Sequence, residues 1–230
     1  MATVLSETLG SIRVLTLNRP DKLNAANLDM QRTLLEELRG VAADGELRAV
    51  VLTGAGRAFS AGGDRDILKE LAAGTCSDRD ELGRISIDTI FTMLELEIPA
   101  IAAVNGLAVG YAAGLVALCD TVVMGESAFL SDPHVQYGIA AGPATQLVWP
   151  RQCPELVARD ILMSGRKVMA PEALRIGLCN HICPDGEERA TALDLADAYV
   201  ALPAEGIAET KRSFNAPLIA EASRLAAAMA

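Results

Sequence analysis

Several things are missing from this chain. No run reaches the ~18 apolar residues of a membrane span, and no early segment joins a basic start to a continuous apolar region. These absences predict a soluble, cytoplasmic protein. Basic charge is also short: 20 Lys and Arg stand against 30 Asp and Glu, for a net charge of −10. Such an acidic chain, with a pI of about 4.7, is a poor partner for nucleic acid or an anionic membrane surface. An anionic ligand therefore needs local basic groups. Cysteine occurs five times, an odd number without a secretory signal, which argues against a disulfide framework. Two glycine-loop fingerprints are absent as well. Phe59 stands where a dinucleotide loop beginning at Gly54 and Gly56 requires glycine, and no Gly-Lys-Ser/Thr triplet marks a P-loop. No linker, internal repeat or low-complexity segment divides the 230 residues. A chain of that length buries roughly 70 to 75% of its unfolded surface, enough for one principal domain.

What is present centres on residues 48–67, RAVVLTGAGRAFSAGGDRDI. The apolar, β-branched run 48–53 has the length of a buried strand. It leads into a loop containing Gly54, Gly56, Gly62 and Gly63, where glycine lets a ligand approach the main chain. Asp64 is placed to cap a short helix, so nearby amides are available to a carbonyl oxygen or an anion. Taken alone, the loop fits an ordinary strand-to-helix connection equally well.

A second segment, 99–120, PAIAAVNGLAVGYAAGLVALCD, reads as a strand over 100–104, a turn at Asn105 and Gly106, and an apolar helix opening near Gly110. The pair RAFSAGGD and AAVNGLAVG resembles the two signature segments of the crotonase superfamily, the enoyl-CoA hydratase/isomerase fold. The resemblance runs from LNRPDKLNAAN to about KRSFN, with the motifs in the family's order. It implies an α/β fold, a crotonase-like superhelical stack of ββα units with a helical C-terminal region. The corresponding division is 1–185 for the acyl-CoA-binding core and 186–230 for a shortened helical region in trimer contacts. A homotrimer or dimer of trimers is implied, with an acyl-CoA thioester as ligand. No separate cofactor is implied, because coenzyme A enters as part of the substrate.

Matched residue by residue, the resemblance makes the amides of Gly63 and Tyr111 the donors to an enolate oxygen. Tyr111 stands in the middle of what is usually a triple-glycine segment, so its phenol must find a place. The loop containing Lys22, Asn24 and Ala25 is implied to hold coenzyme A. Ala61, Asp64, Arg65, Asp66 and Gly110 are implied to border the same ligand. Read from residue type alone, Lys22 is a solvated lysine, and Asp64 and Asp66 are caps or surface groups. The same holds for Asp88, which reads as part of an exposed helix face. Family hydratases use two glutamates; the matching positions here are Gly114 and His134. His134 becomes the acid/base candidate, with Asp132 two residues away to orient it, against the alternative of a histidine that fills its own loop. The resulting expectation is an enoyl-CoA hydratase/isomerase type of enzyme. Alternatives are an inactive acyl-CoA binder, a thioester hydrolase or a carbon-carbon bond lyase.

Elsewhere the pattern predicts strands over 12–18 and 121–124. Helices are expected after an Asn27 cap and over 80–96, 155–163, 171–176, 187–201 and 205–214. The alanine-rich end reads as a final helix or a frayed tail. Cys179, His181 and Cys183 alternate as if on one strand face, with packing favoured over a metal site.

Overall fold

Alternating apolar strands and amphipathic helices assemble, in a computed structural model describing residues 2–229, into two sheets and their helical cover. The order begins β1 (Val4–Leu9), β2 (Ile12–Leu17), α1 (Leu28–Ala43), β3 (Ala49–Gly54), α2 (Arg65–Ala73), α3 (Arg79–Glu95) and β4 (Ala100–Val104). It continues with β5 (Leu107–Val109), α4 (Tyr111–Ala117), β6 (Thr121–Gly125), β7 (Phe129–Ser131), α5 (Pro143–Gln152) and α6 (Glu155–Ser164). The last elements are β8 (Val168–Met169), α7 (Ala170–Ile176), β9 (His181–Cys183), α8 (Glu188–Val200) and α9 (Ala204–Met229). Short 3₁₀ turns at Pro20–Lys22 and His134–Tyr137 interrupt the connections.

The larger sheet has the order β1-β2-β3-β4-β6-β9; its first pair is antiparallel and all later pairs are parallel. Strand alternation sends Ile12, Val14, Ala49, Val51, Ile101, Ala103 and Val123 to one face, where Ala192 and Ala196 of α8 pack. Leu15, Leu17, Val50, Leu52, Ala102, Val104 and Met124 point the other way into the main core with Trp149. Burial on both faces explains why these strands read as continuous apolar runs. The second sheet, β5-β7-β8, is small.

Asn27 caps α1 as expected, accepting from the Met30 amide at 3.0 Å. The helix expected over 205–214 and the alanine-rich end, which is helical, form one element. It runs unbroken through Pro217 to Met229. Lys211 anchors it by donating to Asp120 at 2.6 Å and to the Ile98 carbonyl at 2.9 Å, and Asn215 donates to the Leu94 carbonyl at 2.8 Å. Beyond the proline, Ala222 is again fully buried, so tertiary contact carries the helix past a residue lacking an N–H. α5 was not expected from the pattern, although Pro143 occupies a favoured first-turn position.

The cysteine-histidine alternation is also corrected. Cys179 packs into the main core, Cys183 lies in the α8 core on the opposite face, and His181 is exposed. Their strand begins only at His181, so Cys179 is outside its alternation. Among the described residues, no helix is long and apolar enough to cross a membrane.

Candidate active site

The floor of the site is built by a buried asparagine. Asn24 adopts φ 55° directly after Leu23 at φ 51°, a left-handed pair that asparagine tolerates and leucine rarely enters. The Asn24 side-chain nitrogen donates to the carbonyls of Ala55 at 2.9 Å, Ala58 at 2.8 Å and Phe59 at 3.2 Å. Its side-chain oxygen accepts from the Arg19 amide at 2.8 Å. Ser60 completes the tie: its hydroxyl donates to the Asn24 carbonyl at 2.7 Å and accepts from the Gly62 amide at 3.0 Å. The Ala61 amide donates to the Leu23 carbonyl at 2.8 Å. Asn24 therefore shapes the loop from beneath, with its amide group spent on the backbone and no exposure to solvent.

Above this floor, Ala26 bridges the glycine loop. Its amide donates to the Gly62 carbonyl at 2.7 Å, and its carbonyl accepts from the Asp64 amide at 3.1 Å. The Gly63 N–H lies between these two bonds and has no acceptor among the described residues. The second signature is stitched alongside. Ser60 donates its amide to Leu107 at 3.0 Å and receives that of Val109 at 3.1 Å. A Cβ on Gly62 would sit 2.2 Å from the Val109 carbonyl oxygen and 3.5 Å from the Tyr111 amide nitrogen. Glycine is required there, and its absent side chain brings the two loops together. The Tyr111 N–H opens α4 and also has no acceptor among the described residues.

His134 lies against Gly110, the residue before the second of these amides. Gly110 has φ 55° and ψ −116°, and a Cβ on it would lie 3.1 Å from His134 Cε1 and 3.6 Å from Nε2. The imidazole thus fills the space that a side chain would take. Asp132, wholly buried, binds His134 Nδ1 with one carboxylate oxygen. Its other oxygen accepts from the Gly142 amide at 2.9 Å and from the Thr145 hydroxyl. Burial works against the charged carboxyl, but the hydrogen bond and charge of His134, with the bonds from Thr145 and Gly142, outweigh it and hold Asp132 below its ordinary range. His134 Nε2 has no partner among the described residues, and the side chain keeps 16% exposure. A proton can reach that nitrogen while the other one is fixed.

The Tyr111 phenol turns into a cavity of about 20 Å³ bordered by Ser86, Thr89, Gly114, Gly142 and Ala144. Its oxygen is buried and makes no hydrogen bond. Burial pushes the phenol up to about 12; Thr89 lies near enough to lower it somewhat but outside hydrogen-bonding geometry, its own hydroxyl donating to the Ile85 carbonyl at 2.7 Å. Gly114 is hemmed in, since a Cβ there would lie 3.0 Å from that of Ala144.

Lys22, Arg65 and Asp66 are exposed, and Asp66 pairs with Lys69 at 3.6 Å. Asp64 caps α2 through the Asp66 amide at 3.4 Å and pairs with Arg19 at 3.2 Å. Arg19 also donates to the Ala25 carbonyl. Asp88 faces away, paired with Arg39 at 2.9 Å. Sequence reasoning missed Arg19, Ser60, Gly142 and Thr145. Only Ser60, set inside the glycine-rich loop, carried a local signal. A much larger groove of about 970 Å³ lies under α9 and contains none of the expected site residues.

The family model for enoyl-CoA hydratase/isomerase matches residues 7–229. An enoyl-CoA hydratase of Mycobacterium tuberculosis, EchA19, is 35% identical over 209 residues, covering 87% of this chain and 78% of its own. The crystal structure of an enoyl-CoA hydratase/isomerase from Mycobacterium paratuberculosis is similar with TM-score 0.88 and 40% identity, covering 95% of this chain and 86% of the other. A monofunctional enoyl-CoA isomerase from M. smegmatis is similar with TM-score 0.80 and 30% identity, covering 95% and 94% of the two chains. The site is therefore carried on a shared fold whose sequence relationship spans nearly the whole molecule: the chain belongs to the enoyl-CoA hydratase/isomerase family.

Proposed function

We propose that this protein is an acyl-CoA enzyme that holds the thioester carbonyl between the Gly63 and Tyr111 amides and moves a proton with His134. The observation carrying this reading is the pair of acceptorless N–H groups beside an imidazole oriented by buried Asp132. Removing a proton from the carbon next to a thioester leaves an enolate, whose oxygen gains charge as the proton departs. Amides already aimed at that oxygen stabilise the transition state more than the ground state. One such donor is typically worth ~2.7 to 4 kcal/mol. His134 Nε2 takes the proton, and the Asp132 carboxylate stabilises the imidazolium. Returning the proton two carbons further along shifts a double bond, and one base suffices for both steps. Exposed Lys22 and Arg65 supply basic charge near the rim for coenzyme A phosphates, with Ala25, Ala61, Asp64, Asp66 and Gly110 bordering the ligand.

Isomerisation is favoured over hydration within this family. In the family pattern, Gly114 and His134 take the places of the paired hydratase glutamates, and Ala144 crowds the first place. Water activation by two carboxylates then lacks both groups. Coenzyme A is required only as part of the thioester. The working assembly is a homotrimer or dimer of trimers in the cytoplasm. Exposed Leu156, Met163, Met169 and Leu174, at 81%, 76%, 43% and 44%, support apolar contact with further copies.

Incubating a 3-enoyl-CoA in D₂O tests the chemistry directly. Mass spectrometry should record deuterium uptake, and NMR should show the double bond moved to the 2-position without added water. His134→Ala should retain thioester binding while slowing both by ~10² to 10⁴-fold, the usual contribution of general acid-base catalysis. Binding without deuterium uptake by the wild type leaves an acyl-CoA binder; release of free coenzyme A marks a hydrolase.

A further inference from the structure

The site contains one polar atom that the proposed proton transfer does not use. The Tyr111 hydroxyl is buried without a hydrogen-bond partner, a costly condition in a protein interior. It borders a cavity whose volume, about 20 Å³, is enough for one small group. Ser86 and Thr89 also line that cavity, and Leu115 and Ala144 supply apolar wall. Thr89 uses its proton on the Ile85 carbonyl but keeps oxygen lone pairs. No Lys, Arg or His lines the cavity, so nothing there compensates a buried carboxylate. Gly110, Tyr111 and Gly142 border the cavity, and a Cβ on Gly110 or Gly142 would lie 3.1 or 3.6 Å from His134 Cε1. The cavity consequently adjoins the Tyr111 side of the place proposed for the thioester carbonyl.

We infer that Tyr111 is a specificity-determining residue whose phenol selects a short acyl group ending in a neutral oxygen, such as a terminal hydroxyl or carbonyl. This inference rests on the acyl-CoA reading. The aromatic ring occupies volume that glycine would leave to a longer chain, so length is limited by the same side chain that supplies the polar contact. An oxygen-bearing end accepts the Tyr111 O–H, and a terminal hydroxyl donates in turn to the lone pairs of Thr89 or Ser86. A plain alkyl end leaves the phenol unpaired. A long chain collides with the ring.

Equilibrium binding of butanoyl-, 4-hydroxybutanoyl- and dodecanoyl-CoA, measured by calorimetry, tests the selection. Wild type should bind 4-hydroxybutanoyl-CoA about 2- to 12-fold more tightly than butanoyl-CoA, the range expected for one net hydrogen bond. Dodecanoyl-CoA should bind more weakly than butanoyl-CoA. Tyr111→Phe should abolish the hydroxyl preference and leave the length preference, whereas Tyr111→Gly should reverse the length preference. The wild-type comparison stands by itself if either variant fails to fold. Butanoyl-CoA binding with no hydroxyl preference, or a preference surviving in a folded Tyr111→Phe, overturns the role of Tyr111 while keeping the acyl-CoA reading. Failure to bind any of the three thioesters overturns both.

Discussion

At the scale of single residues, the site depends on groups that hold one another rather than on any isolated side chain. Asp132 accepts from His134, Thr145 and Gly142 together, which engages Nδ1 of the imidazole and leaves Nε2 without a partner among the described residues. The same bonds link Asp132 to stability. Its folded carboxyl titrates below the ordinary value of 3.8, so near that pH the unfolded chain binds more protons than the folded one. The stabilisation is complete above 3.8 and disappears as the pH falls through the lower folded value. Thermal unfolding followed from neutrality to strongly acidic solution should therefore show a smaller acid-dependent loss in Asp132→Asn than in wild type. Equal losses would remove Asp132 as a source of acid sensitivity. His134 was legible as a candidate from its place in the chain. Thr145 was not, because it lies 13 residues from Asp132 at the start of a helix that the pattern did not announce.

At the scale of elements, the loops after β2, β3 and β4 form one structure. Asn24 gathers three carbonyls from the segment following β3, and Ser60 joins that segment to β5 and the turn before α1. Asn24→Ala should cost about 1 to 3 kcal/mol, because it leaves buried carbonyls without their donor. Denaturant unfolding measures this loss, and a variant as stable as wild type would show that the loop does not need the tie. β3 and β4 were readable as continuous apolar runs of strand length, and α1 from its helical period and capping asparagine. β1, β5, β7 and β8 were not. β1 is an edge strand with all but one residue exposed, and the other three have only two or three residues, too few for alternation to register.

For the whole molecule, two features bear on assembly: the exposed apolar side chains over 156–174, and the exposed Phe214 of α9, at 75%. Light scattering at micromolar concentration should report three or six copies; a monomer would refute the assembly proposal. Much of the molecular plan was present in the order of residues. Apolar runs determined buried parallel strands, the glycines after β3 determined a loop that exposes its backbone, and the two signature segments identified the family. The tertiary structure decided what those segments do jointly. Pairing of Ser60 with the strand at Leu107 brings Gly62, the residue before Gly63, against Val109 and Tyr111, although 49 positions separate Gly62 from Tyr111. It also turned the Tyr111 phenol into a small cavity and carried α9 through Pro217. None of these outcomes follows from local propensity, since each depends on which distant group meets the segment once the core has formed.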